Sequence, residues 1–368
     1  MAGFINLLIS YLMTVIVSSY AKVEYNIVET SSGLVRGRLD QYKSTKYYSY
    51  KGIPYAESPT GFLRFQPSVP KKRWSGIYNA TEYGPVCPQV EQVYKRDQMS
   101  EDCLVLNIFV PVTNNSDELL PVVVNIHGGA LKDVILSLKW IRKNLSKFNG
   151  NKNKVTLIGN SSGAVMIHFL MLSNNTSNLF QQLIIISGSA FNHRSLSRYP
   201  TEIAYELSNE LGIQINNTDT STFLNSLTAV DPFKILNADD RLIEANDNVL
   251  RTFSLFVPNI EIMSPHAVLT KHPKVIMKEG PPQNVRVLAG IASNEGLYMN
   301  PTPAHLNSDT TWPEYGREQN YLVINDELKV MQRNSSKRYK RMCFWDQVYE
   351  EYYKYVRDGG ILQRKIVP

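Results

Sequence analysis

The pentapeptide Gly159-Asn160-Ser161-Ser162-Gly163 constrains this chain more than any other stretch. The apolar run Val155-Thr156-Leu157-Ile158 enters it, and a helix-competent run, Ala164 to Leu172, leaves it. A strand, a tight turn carrying serine and then a helix describe a nucleophile elbow. Gly159 and Gly163 lack a Cβ, so strand and helix can approach closely while Ser161 takes a strained backbone that exposes its Oγ. On this reading Ser161 is an acyl-accepting nucleophile. The five-residue pattern alone is weak, and its strand and helix flanks give it weight.

The chain has 368 residues, 43% hydrophobic and 20% charged, which is ordinary globular composition with enough apolar content for a large core. Disordered and collagen-like classes are excluded. Phe4 to Val17 is almost wholly apolar, and Ser19-Tyr20-Ala21 places small residues where a signal peptidase needs them. Residues 1–21 therefore read as a secretory signal peptide ahead of a single domain over 22–368, and the chain is expected to be secreted. An uncleaved anchor is the alternative, although the apolar stretch is shorter than the roughly 20 residues that cross a bilayer, so no membrane span is expected.

Secretion permits disulfides. Cys87 and Cys103 bracket a short polar segment and could close a loop, leaving Cys343 free or paired with another chain. Glycosylation acceptors of the N-x-S/T type include Asn79, Asn114, Asn144, Asn216 and Asn334, with further ones at Asn160, Asn174 and Asn175. Asn160 stands apart because a glycan there would obstruct Ser161. The net charge of +6 includes a late cluster at Lys329, Arg333, Lys337, Arg338, Lys340 and Arg341. No nucleic-acid-binding module accompanies it, so it reads as a solvated helix face and no nucleic acid is expected as a partner.

Strand-like and helix-like stretches alternate along the chain, which points to an α/β fold around a mainly parallel sheet flanked by helices. Asn26 to Val28 and Gly33 to Gly37 suggest a hairpin; Leu104 to Val110, Pro121 to Ile126, Val155 to Ile158, Leu183 to Ile186 and Val285 to Ile291 read as strands. From Leu131 to Phe148, Leu131, Val134, Ile135, Leu138, Ile141, Leu145 and Phe148 recur at helical spacing, an amphipathic helix covering the sheet. Glu202 to Leu211 and Phe223 to Leu236 are polar helical segments that suit a cap.

Ile126-His127-Gly128-Gly129 follows an apolar strand, and its small residues let backbone N–H groups point into a pocket, as a tetrahedral oxyanion requires. His127, beside the glycines, reads as shaping that loop. Together with the elbow, this motif resembles the type B carboxylesterases and cholinesterases of the α/β-hydrolase fold. The resemblance extends through Lys51-Gly52-Ile53-Pro54-Tyr55-Ala56, Leu63-Arg64-Phe65, Trp74-Ser75-Gly76, Tyr83-Gly84-Pro85-Val86-Cys87-Pro88-Gln89 and Ser100-Glu101-Asp102-Cys103-Leu104-Val105-Leu106-Asn107. It continues in Leu131-Lys132-Asp133, Leu138-Lys139-Trp140, Ser187-Gly188-Ser189 and Gly290-Ile291-Ala292-Ser293-Asn294-Glu295-Gly296. It implies a disulfide between Cys87 and Cys103, a salt bridge between Arg64 and Glu101, an oxyanion hole from Gly128, Gly129 and the N–H of Ser162, and Glu295 as the acid of a triad with Ser161. It implies neither a metal nor an organic cofactor.

The departures matter as much. The family's triad histidine follows the acid after a further strand and helix, yet beyond Glu295 only His305 occurs, ten positions on. A crossover to a neighbouring parallel strand takes about a dozen residues, so His305 reads as an exposed loop residue. A block of the family is absent between Leu297 and Asn300, and another, including a sheet strand, between Gly129 and Ala130. That loss should leave sheet edges unpaired. Asn160 and Ser162 stand where the family has Glu and Ala, and no counterpart of the choline-binding aromatic occurs within Val90 to Met99. The resemblance thus implies an internally shortened carboxylic ester hydrolase acting through an acyl-serine on a small-molecule carboxylic ester, with activity impaired by the missing histidine. The alternatives are a non-catalytic secreted binding or adhesion protein on the same scaffold, or a truncated splice form.

Overall fold

The computed structural model describes residues 23–89, 94–113, 118–127, 133–192, 195–197, 199–214, 220–245, 256–264, 267–290, 320–324 and 328–332. Strands β1 (Tyr25–Thr30), β2 (Gly33–Tyr42), β3 (Thr45–Pro54) and β5 (Val105–Pro111) form an antiparallel sheet in the order β1-β2-β3-β5, and the short β4 (Ile77–Asn79) lies parallel to β2. The expected hairpin is β1-β2, closed where Thr30 pairs with Gly33, and the Thr30 Oγ1 donates to the Gly33 carbonyl at 2.7 Å. Nothing in the apolar pattern announces β3, whose first half is exposed or half-exposed.

A second sheet is wholly parallel, in the order β6-β7-β8-β9, from β6 (Leu120–Ile126), β7 (Gly150–Asn160), β8 (Gln182–Ile186) and β9 (Arg286–Gly290). Among the described residues β6 pairs on one side only, and Val123 at its middle is 65% exposed, in keeping with the open edge expected there. Helix α1 (Val134–Asn144) joins β6 to β7, and α2 (Ser162–Met171) joins β7 to β8. The start of the expected amphipathic helix, Leu131, lies outside the described residues. Its end is a tight turn, Leu145–Phe148, stopped by Asn149 in the left-handed conformation.

Helix α1 lies between the two sheets. Leu138 and Leu145 join the core of the parallel sheet, whereas Trp140 and Phe148 join that of the antiparallel sheet. The Trp140 indole N–H donates to the Ser32 Oγ at 3.0 Å. Asn144 accepts the Ser31 N–H at 2.6 Å and donates its amide to the Ser31 Oγ and the Trp140 carbonyl at 3.0 and 2.8 Å. This corrects one expectation. Asn144 is 2% exposed with its amide nitrogen committed to two buried acceptors, so the folded chain has no room for a glycan there.

The helical unit also differs from its expected form. Helix α3 (Pro200–Glu210) agrees, but the second segment divides into α4 (Thr220–Ala229) and α5 (Pro232–Ala245). Pro232 cannot continue a helix, and the Asp231 carboxylate caps the new one by accepting the N–H of Phe233 at 2.9 Å. Leu207, Leu227 and Ala238 form its small core. A short helix α6 (Pro273–Glu279) precedes β9, and β10 (Asn320–Ile324) and β11 (Leu328–Gln332) form a hairpin. Lys329 is therefore a strand residue and not part of a helix face; the rest of the late basic cluster lies outside the described residues.

Candidate active site

Ser161 stands between the end of β7 and the start of α2 with φ 55° and ψ −122°. A residue with a Cβ rarely adopts such a backbone, and the neighbours over-determine it here. Its N–H donates to the Ile186 carbonyl at 3.0 Å, and its carbonyl accepts the N–H of Val165 at 3.1 Å. The glycines act as the motif requires. A Cβ on Gly159 would lie 2.5 Å from the carbonyl carbon of Gly163, and one on Gly163 would collide with the Ile126 carbonyl oxygen and come within 2.9 Å of that of His127. Helix α2 thus begins against the end of β6, where the motif His127-Gly128-Gly129 starts.

The rest of α2 is buried on all sides, with Ala164, Met166, Ile167, Phe169, Leu170 and Met171 in the core. Burial of this kind is what an all-round apolar helix demands. At its end the buried Gln283 donates to the carbonyls of Leu170 and of Ser173, two residues past the helix, at 2.9 and 3.0 Å.

A second loop backs the serine. After β8, Ser187 takes φ 55° and donates its N–H to the Gly290 carbonyl at 2.9 Å. Gly188 then passes so close that a Cβ there would collide with the Ser161 carbonyl oxygen. The motif Ser187-Gly188-Ser189 therefore forms the wall behind the turn. The same loop meets His168, a residue that sequence reasoning missed because a lone histidine inside an apolar helix gives no signal. Its Nδ1 accepts the Ala190 N–H at 3.2 Å and lies 3.5 Å from the Ser189 Oγ, while Phe191 packs edge-on at 4.9 Å between ring centres. Burial pushes its pKa down to about 4, so the imidazole is neutral. It sits seven residues past Ser161, about 10 Å along the helix, and its Nδ1 is occupied, so it is not placed to take the serine proton.

The structure places Ser161 and Ser162 at one point, with Ser162 as the first residue of α2. Gly128, Gly129, Glu295 and His305 lie outside the described residues, as do Cys343, Asn114, Asn216 and Asn334. Cys87 and Cys103 are bonded, with their Cα atoms 5.1 Å apart. Two residues before Cys103, Glu101 forms a two-pronged pair with Arg64, Nε to Oε1 at 2.7 Å and Nη2 to Oε2 at 2.5 Å. The remaining guanidinium nitrogen donates to the carbonyls of Thr228, in the last turn of α4, and Val230 just past it. Of the other acceptor asparagines, Asn79, Asn160 and Asn174 are exposed, and Asn175 donates its amide to the Ala267 carbonyl at 2.6 Å. No group of three or more potential ligands among the described residues could hold a metal ion, and no described helix is long and apolar enough to cross a membrane.

An elbow serine with this backbone, at the carboxyl end of a parallel strand flanked by helices, is the arrangement of an α/β-hydrolase. Comparison with known proteins agrees. Solved structures superpose with TM-scores of 0.63 for juvenile hormone esterase from Manduca sexta, at 26% identity over 72% of this chain and 59% of that one, and 0.64 for a thermophilic PNB esterase, at 27% over 79% and 67%. Among curated relatives, venom carboxylesterase-6 of Apis mellifera is 31% identical over 85% of this chain and 66% of its own length. A carboxylic ester hydrolase of Bombus ignitus is 30% identical over 74% and 57%. The chain thus spans less than two thirds of the length of these two relatives. The model of the carboxylesterase family matches residues 24–132 and 130–358, two stretches that meet just past His127-Gly128-Gly129, and the chain belongs to that family.

Proposed function

We propose that this chain is a shortened, secreted carboxylesterase-type serine hydrolase: a signal peptide over 1–21 followed by one domain over 22–368. Ser161 is its nucleophile, Gly128, Gly129 and the N–H of Ser162 its oxyanion hole, and Glu295 its acid. The observation that carries the reading is the left-handed backbone of Ser161, held between glycines that no larger residue could replace. Strain of this kind persists only where the surroundings enforce it, and it favours an acyl-accepting serine over a scaffold adapted to adhesion alone.

Turnover is impaired in this reading. Acyl transfer needs a base to take the serine proton and return it to the leaving alcohol. His168 does not supply one, since it is committed to Ala190, and the family's histidine has no counterpart after Glu295 in the sequence. The two stretches of the family match, meeting at residues 130–132, support an internal shortening beside the oxyanion loop. Hydrolysis of p-nitrophenyl acetate by the purified chain beside a Ser161→Ala control tests this. The expected result is slow hydrolysis, several orders of magnitude below an intact triad, with the serine-dependent part lost in the control. Turnover matching an intact family enzyme would overturn the impairment, and activity unchanged by Ser161→Ala would overturn the role of the serine.

A further inference from the structure

We propose that His168 is a positioning residue for the nucleophile turn: as a neutral imidazole accepting the Ala190 N–H, it pins the loop of residues 187–190 against Ser161 and so holds the turn in its exposed, left-handed form. The proposal deepens the reading of Ser161 as nucleophile and rests on it.

Three contacts form a closed circuit. His168 on α2 holds Ala190 through Nδ1 at 3.2 Å. Two residues earlier, Gly188 packs against the Ser161 carbonyl with no space for a Cβ. Just before that loop, the Ile186 carbonyl accepts the Ser161 N–H at 3.0 Å, closing the circuit at the start of α2. The serine turn is thus gripped from behind by a segment whose far end is fastened to the second turn of the helix that follows the serine. Phe191 packs on the edge of the imidazole and limits its rotation.

The circuit specifies a tautomer. A backbone N–H can only donate, so Nδ1 must be bare and the imidazole proton must sit on Nε2. Leucine at this position fills similar space without an acceptor and leaves a buried N–H unpaired. Asparagine presents Oδ1 close to where Nδ1 lies, so it should restore the bond.

The test uses the whole chain with ¹⁵N-labelled histidine, together with His168→Leu and His168→Asn. The imidazole nitrogen shifts should show Nε2–H with unprotonated Nδ1. Native-state hydrogen exchange at Ala190 and Ser161 should accelerate about tenfold or more in His168→Leu and return towards the native rate in His168→Asn. Labelling of Ser161 by a fluorophosphonate should slow in His168→Leu and recover in His168→Asn. An Nδ1–H tautomer, unchanged exchange at Ala190 in His168→Leu, or an asparagine variant indistinguishable from leucine would overturn the proposal. The first of these needs no variant, so a leucine form that fails to fold still leaves a decisive result. Exchange reads the amides directly, so a native chain that never labels would count against Ser161 as nucleophile and not against His168 as anchor.

Discussion

The two sheets of this molecule each bury an apolar core but differ in what is added to it. Around the antiparallel sheet, whose core includes Val35, Tyr50 and Ile53, directional polar links are added: Asp40 accepts from Ser49 at 2.7 Å and pairs with Arg38 at 2.8 Å, Glu57 pairs with Lys71 at 3.0 Å, and Glu101, near the disulfide, grips Arg64. The parallel sheet depends on dry packing and on backbone that nearly touches backbone. Leu157 and Leu183 are fully buried in its core, and three glycines beside Ser161 leave no space for a methyl group. Polar links at a periphery can be cut one at a time. The packing around the elbow has no slack, and the serine's geometry depends on all of it together.

The largest effect should come from Gly163→Val, which drives a branched side chain into the carbonyls of Ile126 and His127. A loss of about 4 kcal/mol or more is expected in urea unfolding, together with loss of Ser161 labelling. A stable, labelling variant would show that the elbow tolerates more than its geometry implies. Acid should act on the same region through His168. Its folded pKa is depressed by burial to about 4 from 6.5, so the unfolded chain takes up a proton that the folded chain refuses. The stability it contributes is fully present above pH 6.5 and is lost as pH falls towards 4, by about 3 kcal/mol. Urea midpoints between about pH 7 and pH 4.5 should therefore fall less steeply in His168→Asn than in the native chain.

In the antiparallel region the expected effects are smaller and more separable. Replacing Cys87 and Cys103 together by alanine opens a short loop and should lower stability by about 3 kcal/mol, read as a shift in the urea midpoint, while Ser161 keeps its reactivity. Equal loss of stability and reactivity would show that the two regions are not separable. The smallest change is expected for Arg96→Ala. Its guanidinium stacks 4.0 Å from the Phe233 ring centre and pairs with Asp231 at 3.5 Å, but it is more than half exposed, so about 0.5–1 kcal/mol is expected.

The same contrast explains what the sequence made legible. The parallel strands all carry apolar runs, the central pair β7 and β8 because their core faces are buried, so β6 to β9 could be read directly. β3 could not, because Thr45 and Lys46 are exposed, Tyr47 and Tyr48 are only half-buried, and its tyrosines lie among polar residues up to the single aliphatic Ile53. The break between α4 and α5 was visible in Asp231-Pro232, yet apolar periodicity ran through it and masked the stop. At the site, the glycine spacing announced the turn at Ser161, since only backbone crowding demands it. Burial that arises from tertiary contact was silent: an acceptor pattern says nothing of the core position of Asn144, and a histidine among apolar residues says nothing of the amide it holds.

The most direct test of the central proposal, a competent elbow nucleophile in a triad without its base, is exhaustive exposure of the folded chain to a fluorophosphonate followed by intact-mass and peptide analysis. One adduct per chain, on Ser161 and absent from Ser161→Ala, is the predicted result. A folded chain that stays unmodified, or an adduct that persists in Ser161→Ala, would contradict it.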